Sequence, residues 1–316
     1  MKKIDKFIKS NIKTVVAFIL GIVVAGGTVY AATLAASSVS FNKTNVTQYG
    51  ATKDNVQDAI SELYGKANDL SKYKTSLQSI CGTGEVGTPT SFATDSWATI
   101  CVAARTGNTS VYAPTANGVD NQVLRTVDMG SLGTHYLRVA NTTPCSGAVA
   151  DTSCGFVIEF ADIITTVAMN SSSTLTGGYP GSSLFSYINN TVLPAMPEEI
   201  KNIMIPVTLL SYTGEEAQPY ITPNQYLYVL SSKEVYGSSG PADITTVTLR
   251  QLDYYSSNSD IANKIKKRGT TATRWWLRVP TSTAGSTFRV VNTNGNFTNS
   301  TNTMATVGLS PAFRIG

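Results

Sequence analysis

The amino-acid sequence predicts an α+β protein, and three observations carry that expectation. From Cys81 onward, short apolar runs alternate with clusters of Gly, Asn, Thr and Ser, the pattern of strands and hairpins. Only a few stretches keep a helical period. The last forty-odd residues set a polar tract between two segments that belong in a core, Trp275-Trp276-Leu277-Arg278 before it and Leu309 to Ile315 after it. Few helices among many short strands is an α+β arrangement. In the tract itself, 15 of the 23 residues from Thr281 to Thr303 are Asn, Ser or Thr. Alone, such a bias reads as disorder. Bracketed this way, it describes a scaffold that displays a surface of short polar side chains.

The N-terminal 36 residues are an export element. Lys2, Lys3, Lys6, Lys9 and Lys13 precede the apolar run Val15–Ala25, and Val29-Tyr30-Ala31 carries the residue types a signal peptidase reads, so cleavage after Ala31 is expected. The competing expectation is an uncleaved membrane anchor, because residues 14–36 hold no charge and are long enough to span a bilayer with the lysines kept inside. Both place the body outside the cytoplasm, secreted or on the cell surface. The same lysines explain the net charge of +4. Five of the 24 basic and one of the 20 acidic residues fall in the first thirteen positions, which leaves nineteen of each and a neutral body. A neutral body offers no electrostatic footprint for a phosphate backbone, so nucleic acid is not an expected partner.

Residues 37–80 form a connector and a helical stalk. Asp54 is placed to cap a helix whose third position is Gln57. Val56, Leu63, Leu70 and Leu77 then recur every seven residues, and self-association as a dimer or trimer through residues 54–78 is one expectation; packing of the helix on its own domain is the other. From 81 to 316 the text is that of one binding domain. Strands are expected at Val111-Tyr112, Gln122–Val127, Tyr136–Val139 and Phe156–Phe160, and helices at Ser182–Leu193 (ending at Pro194), Pro197–Ile203 and Asp253–Lys267. The four cysteines make no C-x-x-C pair, and export together with their order suggests local disulfides, Cys81 with Cys101 and Cys145 with Cys154.

Several motifs form a set: Ser96-Trp97-Ala98-Thr99-Ile100, Gly155–Ile163, Leu227–Ser231, Arg250–Tyr255, Trp275–Arg278, the turn Val291-Asn292-Thr293-Asn294-Gly295, and the closing Gly308–Ile315. Over about residues 95–316 they resemble a family of bacterial surface proteins frequent in gut Firmicutes. The C-terminal domain of that family is similar to C-type-lectin-like and formylglycine-generating-enzyme folds. The resemblance implies a lectin-like domain with short strands and two or three helices. Related domains include the variable proteins of diversity-generating retroelements, whose C-terminal loops are mutagenised at adenines; adenine-rich codons encode Asn, Thr, Ser and Tyr, a composition this tract fits, as it also fits an ordinary polar loop.

The chemistry in the tract is that of recognition. His135 is the only histidine, which leaves a Ser-His-Asp or Cys-His arrangement nothing else to use. No Asp or Glu follows Trp276 and no Cys follows Cys154, so a calcium-bridged sugar site and formylglycine-generating chemistry both lack their residues, and no cofactor or metal is expected. Among carboxylates, Glu159 in a strand-like run is the one candidate for an exported glycan hydrolase or modifying enzyme; pairing with an arginine such as Arg138 is the competing reading. Glu198 and Glu199 suit a helix N-terminus, and Arg278 and Arg314 suit buried polar pairing. The candidate ligand-binding residues are Ser282, Thr283, Ser286, Thr287, Asn292, Asn294, Asn296, Asn299 and Asn302 as hydrogen-bonding groups, with Phe288, Arg289 and Phe297 as anchors. Of Trp275 and Trp276, strand alternation puts one in the core and the other on the opposite side. The expected function is a non-catalytic, adhesin-like surface protein for a protein or glycan ligand.

Overall fold

A computed structural model describes residues 56–316 apart from 83, 115–122, 148, 213–218, 238–248, 258–259 and 282–285. The export segment, the connector and the Asp54 cap lie outside the described residues. The chain divides into two units, residues 1–79 and 80–316. In the first, α1 (Val56–Cys81) is one continuous helix, and Tyr64 and Tyr73 on it are exposed. Among the described residues no helix is long and apolar enough to cross a membrane.

The second unit is a mixed helix-and-sheet body, α+β as expected. Its helices are α2 (Trp97–Thr106), α3 (Ser183–Tyr187), α4 (Leu193–Ala195), α5 (Glu198–Lys201), α6 (Ser232–Tyr236) and α7 (Asp253–Ser256). Its strands are β1 (Arg125–Asp128), β2 (Thr134–Asn141), β3 (Phe156–Phe160), β4 (Thr165–Val167), β5 (Val207–Tyr212), β6 (Pro219–Gln225), β7 (Tyr228–Val229), β8 (Lys266–Arg268), β9 (Thr271–Thr273), β10 (Trp275–Pro280), β11 (Thr287–Val291), β12 (Phe297–Asn302), β13 (Val307–Leu309) and β14 (Pro311–Ile315). One sheet runs β1-β2-β3-β14-β7 and a second β12-β11-β10-β13-β4; β5-β6 and β8-β9 are separate hairpins. The first sheet is antiparallel throughout, whereas β10 and β13 run parallel in the second.

The two terminal motifs are thereby explained. Trp275–Pro280 is the middle strand of the second sheet and is buried along its whole length. Pro311–Ile315 lies between β3 and β7 in the first. Ser310, between β13 and β14, is where the chain changes sheet, and the same crossing is made from β3 to β4, with the Ile164 N–H donating to the Leu309 carbonyl at 3.0 Å. Both disulfides, Cys81–Cys101 and Cys145–Cys154, are present. The second closes a nine-residue separation beside β3, and each such bridge contributes roughly 2–4 kcal/mol.

Four expectations are corrected. Both tryptophans are fully buried, because β10 is covered on both faces: Trp275 Nε1 donates to the Lys264 carbonyl and Trp276 Nε1 to that of Val167. Val111-Tyr112 belongs to a 3₁₀ turn, Ser110–Tyr112, tethered by the Tyr112 hydroxyl donating to Asp95. Pro194 does not stop its helix. A π-helical stretch, Ile188–Val192, precedes it, and the proline then occupies the first turn of α4, where no N–H is needed. The stretch 253–267 is one short helix, a 3₁₀ turn (Ile261–Lys264) capped by Asp260, and strand β8, because Lys266 is drawn into the core by polar partners.

Candidate functional site

The polar tract folds as the hairpin β11–β12, with β12 at the edge of the second sheet. Alternation along β11 decides which side chains it shows. Phe288 and Val290 are buried, and Thr287 and Arg289, which alternate with them, are partly exposed. The pairs Phe288↔Thr301 and Val290↔Thr298 leave one extra residue on β12, a bulge that bends the edge strand. At the tip, the Asn292 N–H donates to the Asn296 carbonyl at 2.6 Å and the Gly295 N–H to the Asn292 carbonyl at 2.9 Å. The side-chain oxygens turn inward: Asn292 Oδ1 accepts from the Thr293 N–H at 2.9 Å and Asn294 Oδ1 from the Asn296 N–H at 3.1 Å.

The tip is fixed to the body at a position only glycine fills. Gly295 has φ +84°, and a Cβ there would stand 2.2 Å from the Ile261 carbonyl oxygen. The Tyr236 hydroxyl donates to the Gly295 carbonyl at 2.7 Å, and its ring meets Phe297 edge-on at 5.5 Å. At the other end the Thr303 N–H donates to the Ser286 carbonyl and the Thr303 hydroxyl to that of Ser172; the hydroxyls of Thr281 and Thr287 are hydrogen-bonded to each other.

The structure brings Ser286, Thr287, Arg289, Asn292, Asn294, Asn296 and Asn302 onto this one hairpin, with Asn294, Asn296 and Asn302 exposed. Phe288 is corrected as an anchor: it has no exposed surface and belongs to the core. Phe297 is only partly exposed, because its ring packs on Tyr236. Ser282 and Thr283 lie outside the described residues, as does the side chain of Asn299. Thr293 and Met304, both exposed, join the surface without having been expected there, and Lys264, buried beneath the tip, was not expected near it either.

Glu159 lies elsewhere and is sealed. It accepts from Arg138 Nε at 2.8 Å, from the Tyr255 hydroxyl at 2.9 Å and from Lys266 Nζ at 2.6 Å, with no exposed side-chain surface. Burial alone would raise its pKa, but the Arg138 and Lys266 charges outweigh that and hold it below the usual carboxylate range. A general acid or base must come within hydrogen-bond reach of its substrate, so Glu159 is a structural carboxylate and the hydrolase reading loses its residue. Lys266 also donates to the Phe160 carbonyl and to Ser310. Burial, only partly countered by Glu159, brings its pKa down to about 8. Arg278 makes a second sealed pair with Glu234, through Nη1 at 2.6 Å and Nη2 at 3.0 Å, and also donates to the Leu210 and Val229 carbonyls.

Two clefts lie among the described residues away from the hairpin. One, of about 90 Å³, is lined among others by Phe92, Val111, Tyr112, Arg138 and Tyr254. The other, of about 410 Å³, is lined among others by Trp97, Arg125, Asp128 and Glu199. No described residue of 281–303 lines either. His135 is buried, with Nδ1 at 2.7 Å from Asp162 and Nε2 at 2.9 Å from the Leu132 carbonyl. Cys145, Asp151 and Cys154 converge, but the two sulfurs are joined to each other, which removes the thiolates a metal would need.

Fold and site together define a disulfide-bonded α+β domain that exposes a rigidly seated, uncharged-tipped hairpin. A family model described as "Domain of unknown function (DUF6273)" matches residues 157–316, half of the chain, from β3 to the C-terminus, and the chain belongs to that family. Comparison with curated proteins and with solved structures finds no match.

Proposed function

We propose that this chain is an exported, non-catalytic surface protein that recognises a protein or glycan ligand through the β11–β12 hairpin. The observation that carries the reading is the seating of the hairpin: Gly295, Tyr236 and Ile261 lock its tip while Thr293, Asn294 and Asn296 face solvent. A preorganised polar loop loses little conformational entropy on binding. The two disulfides fit an oxidising compartment, and the lysine-rich apolar segment at residues 1–36 fits export with or without a retained anchor. The likeness to lectin-like surface domains, and a stalk that oligomerises through residues 54–78, belong to the same reading.

A protein and glycan array probed with the detergent-solubilised full chain tests it. A ligand should appear whose binding falls about tenfold or more when Asn294 and Asn296 are both replaced by Ala; a ligand bound equally by both forms would sink the hairpin as the recognition surface. Diversification of the tract by a retroelement requires a reverse transcriptase gene nearby and a near-copy of the segment encoding Trp276–Thr303 that differs mainly at adenines. Sequencing the flanking DNA decides it.

A further inference from the structure

Below the hairpin tip, the turn Ile261–Lys264 supplies the carbonyl against which Gly295 packs. Lys264 ends that turn. Only 6% of the residue is exposed, and its Nζ sits 5.7 Å from the ring centre of Tyr236, the residue that holds Gly295. No hydrogen bond or ion pair joins that ammonium to any described residue, whereas Lys266, two residues on, has three acceptors. Asp260 acts on it only from a distance, and burial pulls its pKa down. A mostly buried lysine whose ammonium lies over an aromatic face, with Asp260 as its one named counter-charge, gains from a further anion supplied from outside. The tip has the same polarity. Asn292 Oδ1 and Asn294 Oδ1 each accept a backbone N–H, which turns the oxygens toward the loop and leaves both carboxamide NH2 groups to donate outward. No carboxylate occurs between Trp276 and the C-terminus.

We propose that Lys264 and the donors of Asn292 and Asn294 hold an acidic side chain of a partner protein, seated against the hairpin tip. This rests on the hairpin as the recognition surface and names its chemistry. A protein is favoured over an acidic glycan because the tip offers no open aromatic ring for a sugar to stack on: Phe288 and Tyr236 are buried, and Phe297 is turned against Tyr236.

The test titrates a hexaglutamate peptide, and separately trigalacturonate, against the detergent-solubilised full chain at low salt, with variants Lys264→Met, Lys264→Arg and Lys267→Met; Lys267 is exposed on β8 and is not part of the site. The expected result is hexaglutamate binding that weakens about tenfold or more in Lys264→Met, is retained in Lys264→Arg and is unchanged in Lys267→Met. Thermal melting should show Lys264→Met folded, since it removes a poorly solvated charge. Equal losses in Lys264→Met and Lys267→Met would mean diffuse attraction and overturn the proposal, as would no hexaglutamate binding by the unaltered chain. Binding of trigalacturonate alone, lost in Lys264→Met, overturns the protein partner while leaving the hairpin as the recognition surface. An array ligand that depends on Asn294 and Asn296 but not on Lys264 sinks this inference without touching the hairpin reading.

Discussion

The Glu159 and Arg278 clusters and the hairpin tip use polarity in opposite ways. In the interior, Glu159 with Arg138 and Lys266, and Glu234 with Arg278, place five full charges where water does not reach, each tied to several partners. At the tip, 292–296, there is no charge, and the carboxamide oxygens are held by local backbone bonds. The contrast teaches that the sealed clusters commit their charges to internal register, whereas the hairpin tip presents neutral groups outward. Removing a member of the first region should therefore be a stability event, and removing a member of the second should be a binding event.

The largest expected effect breaks the internal side. Glu234 caps α6 through the Ser231 N–H while binding Arg278 twice. Arg278→Met leaves that carboxylate buried without its counter-charge, which typically costs about 3–5 kcal/mol. Chemical denaturation should register it, and a loss below about 1 kcal/mol would show that water reaches the pair.

Gly295→Ala should be next and joins the two regions. Its cost combines a left-handed backbone with a Cβ placed against the Ile261 carbonyl, about 1–3 kcal/mol. Because Gly295 fixes the tip, ligand affinity should fall as well. Stability lost with affinity kept would mean that the tip works without its seat.

A pH titration sharpens the comparison. Both ring nitrogens of His135 face acceptors, Asp162 and the Leu132 carbonyl, so only the imidazolium satisfies both. Burial opposes the charge, yet these bonds outweigh it and raise the pKa above 6.5. A raised folded value means that the stabilisation is complete below the unfolded pKa and is lost as pH rises through the folded one. Melting temperature should thus decline from mildly acidic to mildly alkaline pH, and His135→Gln should flatten that decline. An identical slope in the variant would place the pH dependence elsewhere.

Much of the second sheet was legible in the sequence, because apolar residues bracketing a polar tract leave few alternatives, and the V-N-x-x-G turn states its own geometry. Local cysteine pairing was legible for the same reason: the separations are short. Helix α2 was overlooked although Ser96 caps it and Gly107 ends it in a left-handed conformation. What stayed hidden depends on neighbours distant in sequence. That Phe288 faces inward follows from the strand phase, which the bulge in β12 obscures. Lys264 and Lys266 read as the basic end of a helix until the packing around Trp275 assigns them to a turn and a strand. Glu159 drew attention as a carboxylate in an apolar run, and only its three donors reveal why it is there.

The smallest expected effect tests the outward side. Asn294 is exposed, and its Oδ1 makes one local bond, to the Asn296 N–H. Loss of a single exposed bond of this kind should shift stability by no more than about 0.5 kcal/mol. The backbone bonds across the tip, the Tyr236 hydroxyl and the Gly295 contact all remain in Asn294→Ala. If stability and ligand binding report separate regions, this substitution leaves the melting curve in place and weakens the ligand. A stability loss comparable to that of Gly295→Ala would show instead that the carboxamide is structural, and the division between a charged interior and a neutral recognition tip would then fail at the residue where it is easiest to observe.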